Sequence, residues 1–123
     1  MAAFGEYIAN RRKELGKSLR LLAEELGITA AYLSDIEKGR RNPPEINLLT
    51  KFFDVLKISP SDRDYLLDIV GKERQEISPD LPEYIMDVPA ARTALRKARN
   101  MGESQEFWER VNDLLDDKDG KNE

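Results

Sequence analysis

Apolar residues recur along this chain at intervals of three and four, and no stretch alternates apolar with polar β-branched positions over five or more residues. The first spacing is that of a helix face and the second would be that of a strand, so the pattern predicts an all-α protein. A first helix is predicted from about Ala3 to Leu15, burying Phe4, Ile8 and Leu15 and stopped by Gly16. Ser18 is placed to cap a second helix, which runs to Leu26 with Leu19, Leu22, Ala23 and Leu26 on one face. Thr29 caps a third, carrying Tyr32, Leu33 and Ile36 inward before Gly39. Pro43-Pro44 is predicted to open a fourth helix, with Ile46, Leu49, Phe52, Phe53 and Leu56 as its apolar positions. Ser59-Pro60-Ser61-Asp62 starts a fifth, expected to end near Gly71.

Residues 71–80 are charged and carry almost no large apolar group, which marks them as a linker. Beyond them the pattern predicts a short helical turn at Glu83–Met86, a helix from about Pro89 to Asn100 and a last one from Ser104 to about Asp116. Residues 117–123 are too polar to pack and are expected to be a disordered tail. The expected organisation is a five-helix domain over 1–70, the linker 71–80, a small helical element over 81–116, and the tail.

The stretch Leu19–Gly39 narrows the reading. Two short helices that cross steeply can touch only over a small residue, and Ala23 is that residue. The turn must then reverse within a helix diameter, which favours a residue tolerant of positive φ, and Gly27 follows four positions later. Leu22, Leu26, Ile28, Leu33 and Ile36 fill the wedge between the helices. The outer face of the second helix of the pair is left free, in the shape that a DNA major groove accepts. An ordinary helical hairpin is the bland alternative, and the complete set of residues argues against it.

Residues 4–57 resemble the helix-turn-helix domain of the Cro/CI-type (Xre) repressor family. The likeness rests on Arg11–Gly16, Leu22–Thr29, Tyr32–Gly39 and Arg40-Arg41-Asn42-Pro43. It implies a five-helix, lambda-repressor-like domain that binds double-stranded DNA, usually as a homodimer on two half-sites. Carried over residue by residue, it assigns base reading to Thr29, Ala30, Ala31 and Tyr32 and, one turn on, to Ser34 and Asp35. Ser18, Leu19 and Arg20 would offer a helix N-terminus to a phosphate, and the loop Lys38–Asn42, with Lys38, Arg40, Arg41 and Asn42, would grip the backbone. Arg12 and Glu37 match a structural pair that bridges the first helix to the end of the third. Members of the family often hold Gln or Arg where this chain has Ala30 and Ala31. Two alanines can touch only thymine methyls, which shifts sequence reading toward Thr29, Tyr32, Ser34, Arg20 and DNA shape.

Composition adds limits. The 123 residues contain neither Cys nor His, which excludes disulfides, Cys/His zinc sites, a thiol nucleophile and histidine acid–base catalysis. The Asp113–Asp119 run lacks the glycine and terminal Glu of a calcium loop. No enzyme activity, cofactor or metal is therefore expected, and with no long apolar run or signal pattern a cytoplasmic, non-membrane protein is expected. The net charge of −4 is unevenly spread: residues 1–58 hold ten basic and eight acidic side chains, and 59–123 hold ten and sixteen. Phosphate affinity follows the local patch rather than the total, so this balance permits DNA binding.

In the last helix Phe107, Trp108, Val111, Leu114 and Leu115 form a wide apolar stripe, more than two short helices can hide. It reads as a dimerisation or partner-docking element within 81–116. Arg92, Arg96 and Arg99 share a face of the preceding helix and read as a solvated or acid-paired row. The segments Leu81–Pro89 and Arg92–Ala98 are similar to the tails of Xre-type regulators on mobile elements. The leading expectation is a repressor of a phage or mobile-element operon, bound to a palindromic operator as a dimer. The alternative is an antitoxin or adaptor whose C-terminal helices hold a partner protein while the helix-turn-helix autoregulates its operon.

Overall fold

Local capping sets the helix boundaries in the N-terminal part of the chain. The computed structural model describes residues 3–120, and among them every regular element is a helix. α1 (Ala3–Glu14), α2 (Leu19–Leu26), α3 (Ala30–Glu37), α4 (Ile46–Val55) and α5 (Pro60–Arg74) are followed by α6 (Pro82–Asp87), α7 (Pro89–Asn100) and α8 (Gln105–Gly120). Ser18, Thr29 and Ser59 each accept a hydrogen bond from the backbone N–H three residues on, satisfying a first-turn donor of α2, α3 and α5. Gly27 closes α2 in the left-handed region, at φ 72°, as the tight turn into α3 requires.

The chain divides into two units, residues 1–83 and 84–123. In the first, α1–α5 wrap one apolar core whose centre is Leu22, Leu33, Leu49, Phe52 and Leu66, all fully buried. Phe4 of α1 meets Phe52 of α4 edge-on, with ring centroids 5.9 Å apart. Ala23 is buried where α2 crosses its neighbours. Burial of these side chains, each stabilising by roughly 1.5–3 kcal/mol, holds helices that would be too short to persist alone.

Several boundaries differ from the sequence reading. Pro43-Pro44 does not open α4. Both prolines are buried ahead of the helix, which begins at Ile46 after Glu45. A proline disfavours the helical region for the residue before it, so the pair stays extended. Gly71 does not end α5, which runs on to Arg74, with Gln75 taking the left-handed cap at φ 58°. Gly71 instead allows close approach: a Cβ there would lie 2.9 Å from the Ser78 backbone nitrogen. Residues 71–80 are thus folded back on the first unit, and Ser78 donates a hydrogen bond to Asp68. The division falls at Glu83, not within 71–80. Of the expected tail, residues 117–120 continue α8, and 121–123 lie outside the described residues.

Candidate nucleic-acid interface

The helix pair α2–α3 presents two capped N-termini. Ser18 Oγ accepts from the Leu21 N–H at 3.0 Å, and Thr29 Oγ1 accepts from the Tyr32 N–H at 3.1 Å. The first-turn amides of Leu19 and Arg20, and of Ala30 and Ala31, have no carbonyl one turn back to bind. Each end therefore combines free donors with the positive end of a helix dipole, the arrangement that attracts an anion such as phosphate.

The outer face of α3 is open and short-chained. Thr29 and Ala31 are exposed, while Ala30, Tyr32, Ser34 and Asp35 are half-buried, with Ala30 and Tyr32 leaning on the core. Ser18 and Arg20 are exposed at the start of α2, and Leu19 is half-buried against the core. Lys38, Arg40, Arg41 and Asn42 are all exposed in the loop that follows. Two contacts hold this loop to the helix. The Arg41 guanidinium lies 5.3 Å from the centre of the Tyr32 ring, and Arg40 approaches Asp35 at 3.6 Å. Asp35 would repel phosphate if left alone, and Arg40 offsets its charge. The residues singled out in 18–42 thus lie on α2, α3 and one connecting loop.

Behind this surface, Arg12 and Glu37 form a two-pronged pair, Nε to Oε2 at 2.8 Å and Nη2 to Oε1 at 3.0 Å. A third N–H of Arg12 donates to the Lys17 carbonyl at 3.0 Å. The hydrogen bond to Glu37 raises the Arg12 pKa against the opposing effect of burial, and the nearby carboxylate charge adds to the rise. The pair ties α1 to the last residue of α3, fixing how far α3 stands out.

Two contributors escaped the sequence reading. Gly5 of α1 lies against the end of α3, where a Cβ would come within 2.3 Å of the Ile36 carbonyl oxygen and 2.6 Å of that of Glu37. Its sequence signal was present, a glycine inside the Phe4/Ile8 stripe. Arg74, at the end of α5, donates to the Pro43 carbonyl and lies 3.3 Å from Glu45, so it anchors the far side of the loop. Nothing in the local sequence marks that contact, because its partners are about thirty positions away.

The helix-turn-helix family model matches residues 8–62, which span α2, α3 and their packing partners. Residues 8–62 thus carry a helix-turn-helix domain of the Cro/CI type. The HTH-type transcriptional regulators SinR of Bacillus subtilis (strain 168) and of Bacillus licheniformis are each 44% identical to it over 55 residues, 45% of this chain and 50% of theirs. The chain thus matches about half the length of these relatives. Among solved structures, SinR, described as the master regulator for biofilm formation, in complex with DNA is 42% identical over 53% of this chain and 98% of that one, with a TM-score of 0.47. A SinR/SinI protein complex is 27% identical over 95% of this chain and 98% of that one, with a TM-score of 0.46. The family is one of transcription regulators rather than an enzyme class.

The residues expected to contact a partner lie in the second unit. Phe107, Trp108 and Val111 are half-buried, with the two rings edge-on at 5.0 Å, and Leu114 and Leu115 are exposed. No helix among the described residues is long and apolar enough to cross a membrane, and no group of three potential metal ligands occurs among them.

Proposed function

We propose that this chain is a sequence-specific DNA-binding transcriptional regulator that represses by occupying a palindromic operator as a dimer. The observation that carries the reading is the joint presentation of two capped helix N-termini, an open α3 face and the exposed loop Lys38–Asn42. The N-terminus of α2 and the cations of the loop hold the sugar-phosphate backbone on either side of α3. Thr29, Ala30, Ala31 and Tyr32 then meet base edges, with Ser34 and Asp35 one turn further along. The family match and the resemblance to HTH-type transcriptional regulators support the same reading.

The test is selection of bound fragments from a random DNA pool by the purified full chain. A two-fold symmetric motif, with half-sites about one helical turn apart, is expected. Enrichment of no sequence above the starting pool overturns the proposal. An enriched motif that activates rather than silences a linked reporter overturns repression alone.

A further inference from the structure

One stripe of α1 faces away from the core and walls a cavity instead. Glu6, Asn10 and Lys13 follow one another at intervals of four and three, so they share a face of the helix, and all three are exposed. With Leu19, Ser34 and Lys38 they line an open groove of about 550 Å³ between α1 and the α2–α3 pair. Neither base reading nor the grip of the Lys38–Asn42 loop uses this face of α1.

Charge indicates what the groove holds. Arg12 and Glu37 also line it, but they neutralise each other, and the guanidinium spends its donors on the Glu37 carboxylate and the Lys17 carbonyl. Lys13 and Lys38 are both exposed and join no ion pair among the described residues. These two lysines, one from α1 and one at the end of α3, therefore set the field of the groove. Compact ammonium groups on flexible stems suit a phosphate better than the edge of a base. Asn10 adds an exposed amide donor one turn from Lys13. Glu6, one turn further back along α1, carries the opposite charge and bounds the anionic stretch that fits. Leu19 opens α2, so the groove adjoins the helix end to which the proposed function already assigns a phosphate.

We propose that the sugar-phosphate backbone of bound DNA continues into this groove, so that α1 is part of the interface. Lys13 and Asn10 hold the phosphate next along the strand from the one at the start of α2, and Lys38 faces it from the other side. Contact is to phosphate alone, so it strengthens binding without favouring any sequence. This rests on the reading of the chain as a DNA-binding protein and adds two residues of α1 to it.

The experiment is a fluorescence-anisotropy titration of the full chain with a random-sequence duplex and with the selected operator, at several salt concentrations. The variants are Lys13→Gln, Asn10→Ala and, as a control, Lys72→Gln, an exposed lysine of α5 outside the groove. Lys13 is exposed and glutamine is a comparable helix former, so the fold is preserved. Lys13→Gln should lose about 5-fold in affinity per head on both duplexes. It should also flatten the salt dependence by about 0.9 per head. Asn10→Ala should lose about 2-fold with the salt dependence unchanged, and the control should change neither. Methylphosphonate placed at one operator phosphate after another removes a single charge each time. At one phosphate beside the half-site the wild type should lose about what Lys13→Gln loses, and Lys13→Gln should lose nothing more. A Lys13→Gln variant that binds both duplexes as the wild type does overturns the proposal and leaves DNA binding standing. So does a control that flattens the salt dependence equally, or a loss that no single methylphosphonate cancels. A wild type that binds neither duplex overturns the DNA-binding reading as well.

Discussion

The Arg12–Glu37 pair should contribute far more than an ordinary surface ion pair, and its size can be worked from the geometry. The two side chains are only 12% and 8% exposed, and the guanidinium makes two short bonds to the carboxylate and a third to the Lys17 carbonyl. Arg12→Ala would leave a nearly buried carboxylate and the half-buried Lys17 carbonyl without the donors it supplies. Breaking such a pair from one side costs about 3–5 kcal/mol. The lower end is expected, because the pair sits at the edge of the core. For a domain of this size that lowers the Tm by roughly 12 °C or more. Replacing both residues with methionine keeps the volume and strands no charge, so the double variant should recover most of the loss. Urea titration of the wild type, both single methionine variants and the double variant closes the cycle. A coupling energy below about 0.5 kcal/mol would refute the reasoning, showing that water reaches the pair and screens it. The Arg12→Met variant should also weaken DNA binding, since the end of α3 loses its tie to α1.

Three further outcomes follow from the same structure. Gly5→Ala should destabilise by at least about 1–3 kcal/mol although alanine is the better helix former, because its Cβ would sit 2.3 Å from the Ile36 carbonyl oxygen; thermal melts that show a gain would contradict this. Arg40→Ala with Arg41→Ala should weaken binding to operator and random DNA alike and flatten the salt dependence by about 1.8 per head, read from titrations at several salt concentrations. The Tyr7 phenol is raised above its usual 10.0, chiefly by burial and then by its hydrogen bond to Asp62. A raised folded pKa stabilises below the unfolded value of 10.0 and loses that contribution as pH rises through the folded one, so the stability gap between wild type and Tyr7→Phe should shrink above about pH 10.

What could be read in advance divides along a physical line. Capping, turn and wedge residues act over three to five positions, and Ser18, Ala23, Gly27 and Thr29 disclosed α2, their turn and α3 with nothing more distant needed. The fates of Pro43-Pro44 and Gly71 were settled by partners far along the chain. The prolines are buried ahead of α4, with Arg74 on the Pro43 carbonyl, and Gly71 makes room for the returning backbone at Ser78. A local rule reads each of those residues as a helix boundary, and tertiary packing overrules it. In the second unit the helix pattern was legible, and so was the excess of apolar surface. Whether the α7 arginines pair with acids was not, because nearness in sequence left acid pairing open; among the described residues no ion pair joins α7 to α8.

The bareness of the α3 tip has an evolutionary consequence. Ala31 is exposed, and Ala30 only leans on the edge of the core, so neither side chain holds the domain together. A longer side chain at the first position would cost a few tenths of a kcal/mol in helix propensity, while one good bidentate base contact discriminates by about 1–3 kcal/mol. A new preference could therefore be acquired in a single substitution, without first accumulating stability to offset it. Duplicate copies of such a gene could part company over their binding sites early, before their folds had diverged at all.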